Sequence, residues 1–297
     1  MNFLLTGAWA DARKHIERLE KMGHKIVFMQ QEKEALACDY DWVEGTICNG
    51  LFLTHPIMQF QNLRYIQLTS AGFDRVPMDY VRDRGIEIHN ARGVYSIPMA
   101  EFAVCGVLQM YKKMRFFDAN QKKHKWVKYR ELLELSGKTI VIVGCGSVGT
   151  ECAKRFQAFG CRVIGVDLFP REDSCYDTMV SLSALSTVLP QADAFVLTLP
   201  LTEQTRHMIS WDQLRCLKPT CVLVNIARGA VVDTEALTGT IDNIGGAVLD
   251  VFEEEPLSDA SVLWEKENVI ITPHNSFVGD GNQERLSKVI LDNLQGK

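Results

Sequence analysis

The stretch Thr139-Ile140-Val141-Ile142-Val143-Gly144-Cys145-Gly146-Ser147-Val148-Gly149 decides the fold. Its first five residues are all β-branched and show no polar alternation, the pattern of a strand buried on both faces. Residues 148–159 repeat their apolar positions at helical spacing, and between strand and helix the glycines stand as G-x-G-x-x-G. Such a run opens a βαβ unit that holds a dinucleotide. Gly144 permits the tight turn, Gly146 lets backbone approach a pyrophosphate, and Gly149 lets helix and strand pack closely. The N–H groups of Ser147 and Val148, at the helix N-terminus, face the phosphates. A second strand, 162–166, ends at Asp167, 18 residues past Gly149, where such units place the acid that hydrogen-bonds a ribose 2′-OH. The competing reading is a glycine-rich turn in an unrelated α/β protein.

Outward from this unit, strand-like runs continue at 194–199, 221–224, 247–249 and 269–271, with helices and loops between them. Ser210-Trp211-Asp212-Gln213 has capping-box spacing and marks one helix start. Upstream, a long apolar helix is expected over 98–118. Before it, runs at 3–6, 25–29, 46–48, 65–68 and 86–89 form a separate small α/β layer. Its first helix shows apolar spacing at Ala12, Ile16, Leu19 and Met22 and stops at Gly23.

Composition bounds the rest. A chain of 297 residues with 46% hydrophobic content is ample for about two domains. No stretch is apolar enough for a membrane span, and Met1-Asn2-Phe3-Leu4-Leu5 reads as a first strand, not a signal peptide. The nine cysteines lack CxxC spacing and several fall within apolar segments, as small core residues do in a reducing, cytoplasmic setting. No metal site is indicated. A net charge of −5 argues against nucleic acid as a partner. The basic run 122–130, interleaved with aromatics, reads as a solvated or subunit-contacting connector, with an anion-binding patch as the alternative.

Three further stretches carry chemistry: Asn225-Ile226-Ala227-Arg228-Gly229, Asp250-Val251-Phe252-Glu253-Glu254-Glu255-Pro256 and Thr272-Pro273-His274. With Leu135-Ser136-Gly137-Lys138-Thr139 before the glycine run and Leu199-Pro200-Leu201-Thr202, Thr205 and His207 after it, the whole chain resembles the D-isomer-specific 2-hydroxyacid dehydrogenases. The resemblance implies two doubly wound parallel-sheet domains. A Rossmann-type NAD-binding domain, 97–275, is inserted into a flavodoxin-like substrate domain formed by 1–96 and 276–297.

It also implies a site. His274 is the general acid and base at the substrate oxygen, a role that suits imidazole because it titrates near neutrality. Glu255 would fix its tautomer and stabilise imidazolium, while Arg228 would anchor the substrate and polarise its carbonyl through a planar fork. Composition alone does not choose among Glu253, Glu254 and Glu255; the resemblance picks the residue before Pro256, and the other two are expected to be solvated. The backbone N–H groups of Ala71 and Gly72 would bind the substrate carboxylate. Asn49 and Gly50, after another strand, either face the substrate side chain or form a plain turn. Leu199, Pro200 and Thr205 are expected along the cofactor, Ile226 and Ala227 beside its nicotinamide and Asp250 near the carboxamide. Asp167 favours NAD, and Arg171 keeps NADP open.

Two departures bear on the substrate, a small 2-oxo or 2-hydroxy acid whose identity the sequence does not give. Only 23 residues follow His274, fewer than many members carry, so a reduced or differently packed closing segment is expected. Phe277 stands where the family has small residues and would narrow the pocket. A homodimer is the family expectation. Two alternatives remain: an NAD(H)-sensing, corepressor-like interaction protein on the same scaffold, and oxidation of formate or phosphite, for which a glutamate at 255 is the poorer fit.

Overall fold

In a computed structural model the described residues are 1–295. The chain divides into two compact units, Met1–Tyr95 with Gly279–Lys297, and Ser96–Val278. The last two positions of the expected range 276–297 lie outside the described residues. The first crossing falls at 95/96 instead of 96/97, and the second at 278/279 instead of 275/276. Residues 275 and 276 stay with the inserted unit because their N–H groups donate to the Asp250 carboxylate at 2.7 and 2.9 Å.

In chain order the first unit contains β1 (Asn2–Thr6), α1 (Ala12–Lys21), β2 (Lys25–Met29), β3 (Gly45–Cys48), β4 (Tyr65–Leu68), α2 (Met78–Asp83) and β5 (Glu87–His89). The second contains α3 (Ser96–Tyr111), α4 (Met114–Lys122), β6 (Thr139–Val143), α5 (Ser147–Ala158), β7 (Arg162–Asp167), β8 (Thr178–Ser181), α6 (Leu185–Val188), β9 (Ala194–Leu197), α7 (Trp211–Arg215), β10 (Val222–Asn225), α8 (Thr234–Thr240), β11 (Gly246–Leu249) and β12 (Val269–Ile271). Helix α9 (Asn282–Asn293) belongs to the first unit again.

The five-stranded sheet has the order β2-β1-β3-β4-β5 with all neighbours parallel. That is the flavodoxin-like order. Side chains alternate across it with period two. Phe3 and Leu5 of β1 pack with Leu19 of α1 and with Leu286 and Ile290 of α9, whereas Leu4 faces Ile66, Phe60 and Val81. The segment after His274 therefore adds one helix, α9, to the face of this sheet that α1 also covers.

The seven-stranded sheet runs β12-β11-β10-β9-β6-β7-β8, again all parallel. Counted from β6, this is the doubly wound order in which the chain reverses direction across the sheet between β6 and β9. β6 and β9–β11 are almost wholly buried, as sheets covered by helices on both faces require. Strand β8 escaped the sequence reading because it is four residues long and half-exposed at the sheet edge. The helix expected over 98–118 is instead two. Lys113 adopts the left-handed conformation (φ 50°), and Arg115 of α4 then reaches the carbonyls of Lys266, Glu267 and Val269 beside β12. The basic run beyond α4 is irregular and solvated, with Trp126 97% exposed.

All nine cysteines are free. Burial pushes the Cys145 thiol up to about 11 and Cys152 to about 12, so both behave as small core residues. Among the described residues no helix is long and apolar enough to cross a membrane.

Candidate active site

At the carboxyl end of β6 the glycine run meets its expected constraints. Gly144 has φ +94°, and a Cβ there would fall 2.6 Å from Leu199 N. At Gly149 a Cβ would fall 2.1 Å from Gly144 O, so helix α5 approaches the turn as closely as glycine allows. Gly146 has open space on its Cβ side and precedes Ser147, the first residue of α5. The helix thus points its unpaired N–H end away from the core, a cradle that fits a pyrophosphate.

Beside it lies a cavity of about 570 Å³ lined by Val143, Gly144, Val166, Asp167, Leu199, Pro200 and Thr205, among others. Asp167 Oδ2 accepts from Cys145 N at 2.7 Å and Oδ1 accepts from Phe169 N at 3.0 Å, which holds the acid against the glycine turn. Arg171, the residue that keeps NADP open, folds onto the Cys145 carbonyl (2.9 Å) and Asp173 (3.2 Å). Thr205 is buried. Its hydroxyl donates to Pro200 O at 2.8 Å and accepts from Thr202 N at 2.7 Å, so it shapes the turn whose Leu199 and Pro200 line the cavity.

The chemical groups stand on loops at the ends of three successive strands, β10, β11 and β12. Neighbouring parallel strands are about 4.8 Å apart, so these loops lie side by side. After β10, the buried Asn225 side chain accepts from Ala227 N and donates to Arg228 O, both at 3.1 Å, and sets the course of the loop. Arg228 is half-buried and gives one of its donors to Ala227 O at 2.8 Å. Gly229 passes so close to the next loop that a Cβ would lie 1.8 Å from the Phe252 carbonyl carbon.

Asp250, fully buried, ties the third loop to the second. Its carboxylate accepts from Thr272 Oγ1 (2.7 Å), Asn275 N (2.7 Å) and Ser276 N (2.9 Å), and its carbonyl accepts from His274 N at 2.8 Å. His274 is thereby held at φ 50°, a conformation rare for a non-glycine residue. Glu255 Oε2 lies 2.9 Å from His274 Nδ1, and its Oε1 accepts from Phe252 N at 3.1 Å. Nδ1 therefore carries the proton facing the carboxylate, which leaves Nε2 to exchange protons. The Phe277 ring stands edge-on to the imidazole with centroids 6.1 Å apart.

Arg228, Glu255 and His274 thus emerge together on one edge of one sheet. The structure also shows how several expected neighbours are held within the chain. Ile226 and Ala227 are 1% and 5% exposed, and their side chains enter the cores on opposite faces of the sheet, so only their backbone is left to face a ligand. Asp250 spends its carboxylate on the His274 loop. Glu253 is not simply solvated: its burial opposes ionisation, yet hydrogen bonds from Thr234 N (2.8 Å) and His207 (2.6 Å) outweigh this and hold its carboxyl below the usual range. The clamp by Asn225 was legible in principle, since asparagine commonly bonds backbone two residues on. The pairing of His207 with Glu253 spans 46 residues and had no local signal.

In the five-stranded unit, the Ser70-Ala71-Gly72 turn follows β4. Ser70 Oγ donates to Gly72 O at 3.0 Å and Asn90 Nδ2 donates to Ala71 O at 2.6 Å. The N–H groups of Ala71 and Gly72 find no partner among the described residues. At the end of β3, the N–H groups of Asn49 and Gly50 are engaged by Glu32 at 2.7 and 2.6 Å.

Comparison with known proteins agrees with this geometry. Residues 104–276 match the family model described as D-isomer-specific 2-hydroxyacid dehydrogenase, NAD-binding domain. The chain is 34% identical over 245 residues to an (S)-sulfolactate dehydrogenase of Chromohalobacter salexigens, covering 80% of this chain and 79% of that one. It is 34% identical over 239 residues to a glyoxylate reductase of Korarchaeum cryptofilum, covering 78% and 72%. A D-lactate dehydrogenase from Aquifex aeolicus, solved in complex with NAD and lactic acid, superimposes with a TM-score of 0.81 at 27% identity over 99% of this chain and 94% of that one. An NAD-binding domain of matching sequence, a shared two-sheet architecture and relatives named for hydroxy-acid redox chemistry converge: the chain belongs to the D-isomer-specific 2-hydroxyacid dehydrogenase family.

Proposed function

We propose that the chain interconverts a small 2-oxo acid and its D-2-hydroxy acid, with NAD(H) as redox partner and Arg228, Glu255 and His274 as the working groups. The observation that carries this reading is the Glu255–His274 pair at 2.9 Å beside the arginine loop, on the carboxyl edge of an NAD-binding sheet. Gly144, Gly146, Ser147, Val148 and Gly149 would hold the cofactor phosphates and Asp167 the ribose. When bound, the cofactor supplies or accepts the hydride at the substrate C2. The Arg228 guanidinium binds the substrate carboxylate and carbonyl oxygen and draws charge toward that oxygen. His274 Nε2 protonates the oxygen in reduction and removes the proton in oxidation, while Glu255 stabilises the imidazolium. The N–H groups of Ala71 and Gly72, without a partner among the described residues, support their assignment to the carboxylate.

NAD is favoured over NADP because the Asp167 carboxylate would repel a 2′-phosphate, and because Arg171 is engaged with Cys145 and Asp173. A homodimer is supported by an apolar groove along α3 and α5 that includes Val104, Leu108, Met114 and Phe159; a sedimentation mass of one chain would remove this part. A cytoplasmic setting accords with the free cysteines. No observation favours the sensor reading.

The experiment is oxidation of NADH and, separately, NADPH with a panel of 2-oxo acids from glyoxylate to phenylpyruvate, plus a sulfonated 2-oxo acid. Turnover with NADH well above NADPH is expected. Tight NADH binding without turnover of any acid would instead favour the sensor. Glu255→Gln should lower kcat roughly 100-fold while leaving thermal stability near wild type, since the amide keeps an acceptor but loses the charge that stabilises imidazolium. A drop of less than about threefold would remove Glu255 from the mechanism.

A further inference from the structure

In the five-stranded sheet, β1 leads outward to β2, whereas β3 leads the other way to β4 and β5. Where a doubly wound sheet reverses like this, the loops part and leave a crevice at the carboxyl edge. The Asn49–Gly50 turn stands there, and its two N–H groups are already chelated. Glu32 Oε1 accepts from Asn49 N and from Thr6 Oγ1, both at 2.7 Å, and Oε2 accepts from Gly50 N at 2.6 Å. Successive backbone N–H groups gripping a carboxylate are what an anion-binding turn offers a ligand. Here the carboxylate is the chain's own.

One strand over, Ala71 and Gly72 present N–H groups with no partner among the described residues. The β5 side of that turn is closed by Asn90, which bonds Ala71 O, and by Ala91 N, which bonds Ser70 O. A small acid held by its carboxylate on Ala71 and Gly72 is therefore left the β3 side for its C2 substituent, about one strand spacing of 4.8 Å away. It meets the Glu32 carboxylate there, together with Asn49 Oδ1, a buried acceptor without a hydrogen-bond partner.

We infer that Glu32 is a specificity-determining residue: it occupies the anion-binding turn that a second acidic group of the substrate would need, and so commits the chain to 2-oxo acids whose C2 substituent carries no negative charge. The inference rests on the 2-oxo acid reading above. A cation, Arg75, adjoins the turn, its Cδ 3.9 Å from where a Gly50 Cβ would stand, and it pulls the opposite way. The test must weigh both.

Two acids of nearly equal shape separate charge from size: 4-methyl-2-oxovalerate, and oxaloacetate with a carboxylate in place of the isopropyl group. Wild type should favour the former in kcat/KM. Glu32→Ala should shift the ratio toward oxaloacetate by about tenfold or more, and Glu32→Gln part of the way, since it removes the charge but keeps an acceptor. A ratio between substrates is unaffected by general loss of active protein. An unchanged ratio in both variants overturns the inference. So does a wild type that prefers oxaloacetate and loses that preference in Arg75→Ala. A second readout needs no turnover: sulfate should raise the Tm of Glu32→Ala more than that of wild type by refilling the vacated turn, and equal shifts count against it. If wild type reduces no 2-oxo acid, the proposed function fails while the sulfate comparison still decides what the turn accepts.

Discussion

Replacing His274 by alanine is expected to lower kcat for 2-oxo acid reduction by about 10²–10⁴-fold, with NADH binding nearly unchanged. In the proposed mechanism the imidazole Nε2 donates the proton to the developing alkoxide, and Glu255, which sits on Nδ1 on the far side of the ring, does not duplicate that role. The backbone should survive the change, because what holds the loop is the 274 N–H on Asp250 O and the Asp250 carboxylate on neighbouring groups, none of which involves the imidazole. Steady-state reduction, paired with fluorescence titration of NADH, reads both quantities. Residual turnover within about tenfold of wild type would show that another group delivers the proton.

The second large effect is on stability. Asp250→Ala removes the acceptor for three donors, Thr272 Oγ1, Asn275 N and Ser276 N, at a position with no solvent exposure. A buried donor left unsatisfied costs about 1–3 kcal/mol, and of the three only the Ser276 N–H is fully buried, so a loss of about 3 kcal/mol in unfolding free energy is expected. Asp250→Asn keeps one oxygen acceptor and should lose about half as much. Urea unfolding of both variants measures this. A loss below about 1 kcal/mol in the alanine variant would mean that water or a rearranged loop replaces the carboxylate. Activity should fall with stability, because the same hydrogen bonds set the backbone of His274.

These two residues show where sequence reading reached and where it stopped. His274 was recognisable from Thr272-Pro273-His274 taken with the arginine and acidic stretches. Asp250 is expected from the resemblance near the cofactor carboxamide; what the sequence did not show is that its carboxylate also serves residues 22 to 26 positions later in the chain. The choice of Glu255 among three consecutive glutamates came from resemblance alone, and the contacts now distinguish them, Glu255 on His274 and Glu253 on His207 and Thr234.

Local pattern carried all the strands but β8, the glycine turn, helices α1 and α5 and the start of α7, because each depends on side-chain periodicity or on backbone freedom within a few residues. The run 139–149 alone implied strand, turn and helix, and β6 with α5 lies where it placed them. Three things waited for the tertiary structure: the break at Lys113, the edge strand β8 and the engagement of Glu32 by the turn after β3. Each depends on a neighbour set by sheet order and not by proximity in the chain. Arg115 draws α4 toward carbonyls some 150 residues away, β8 exists as a strand only through its pairing with β7, and Glu32 meets Thr6, Asn49 and Gly50 because β1 and β3 are adjacent. Sequence by itself determined which chemistry this protein carries; only the packing of distant strands decided which polar groups hold that chemistry in place and which remain to meet a substrate, since hydrogen bonds form between whatever groups the sheet order brings within about 3 Å.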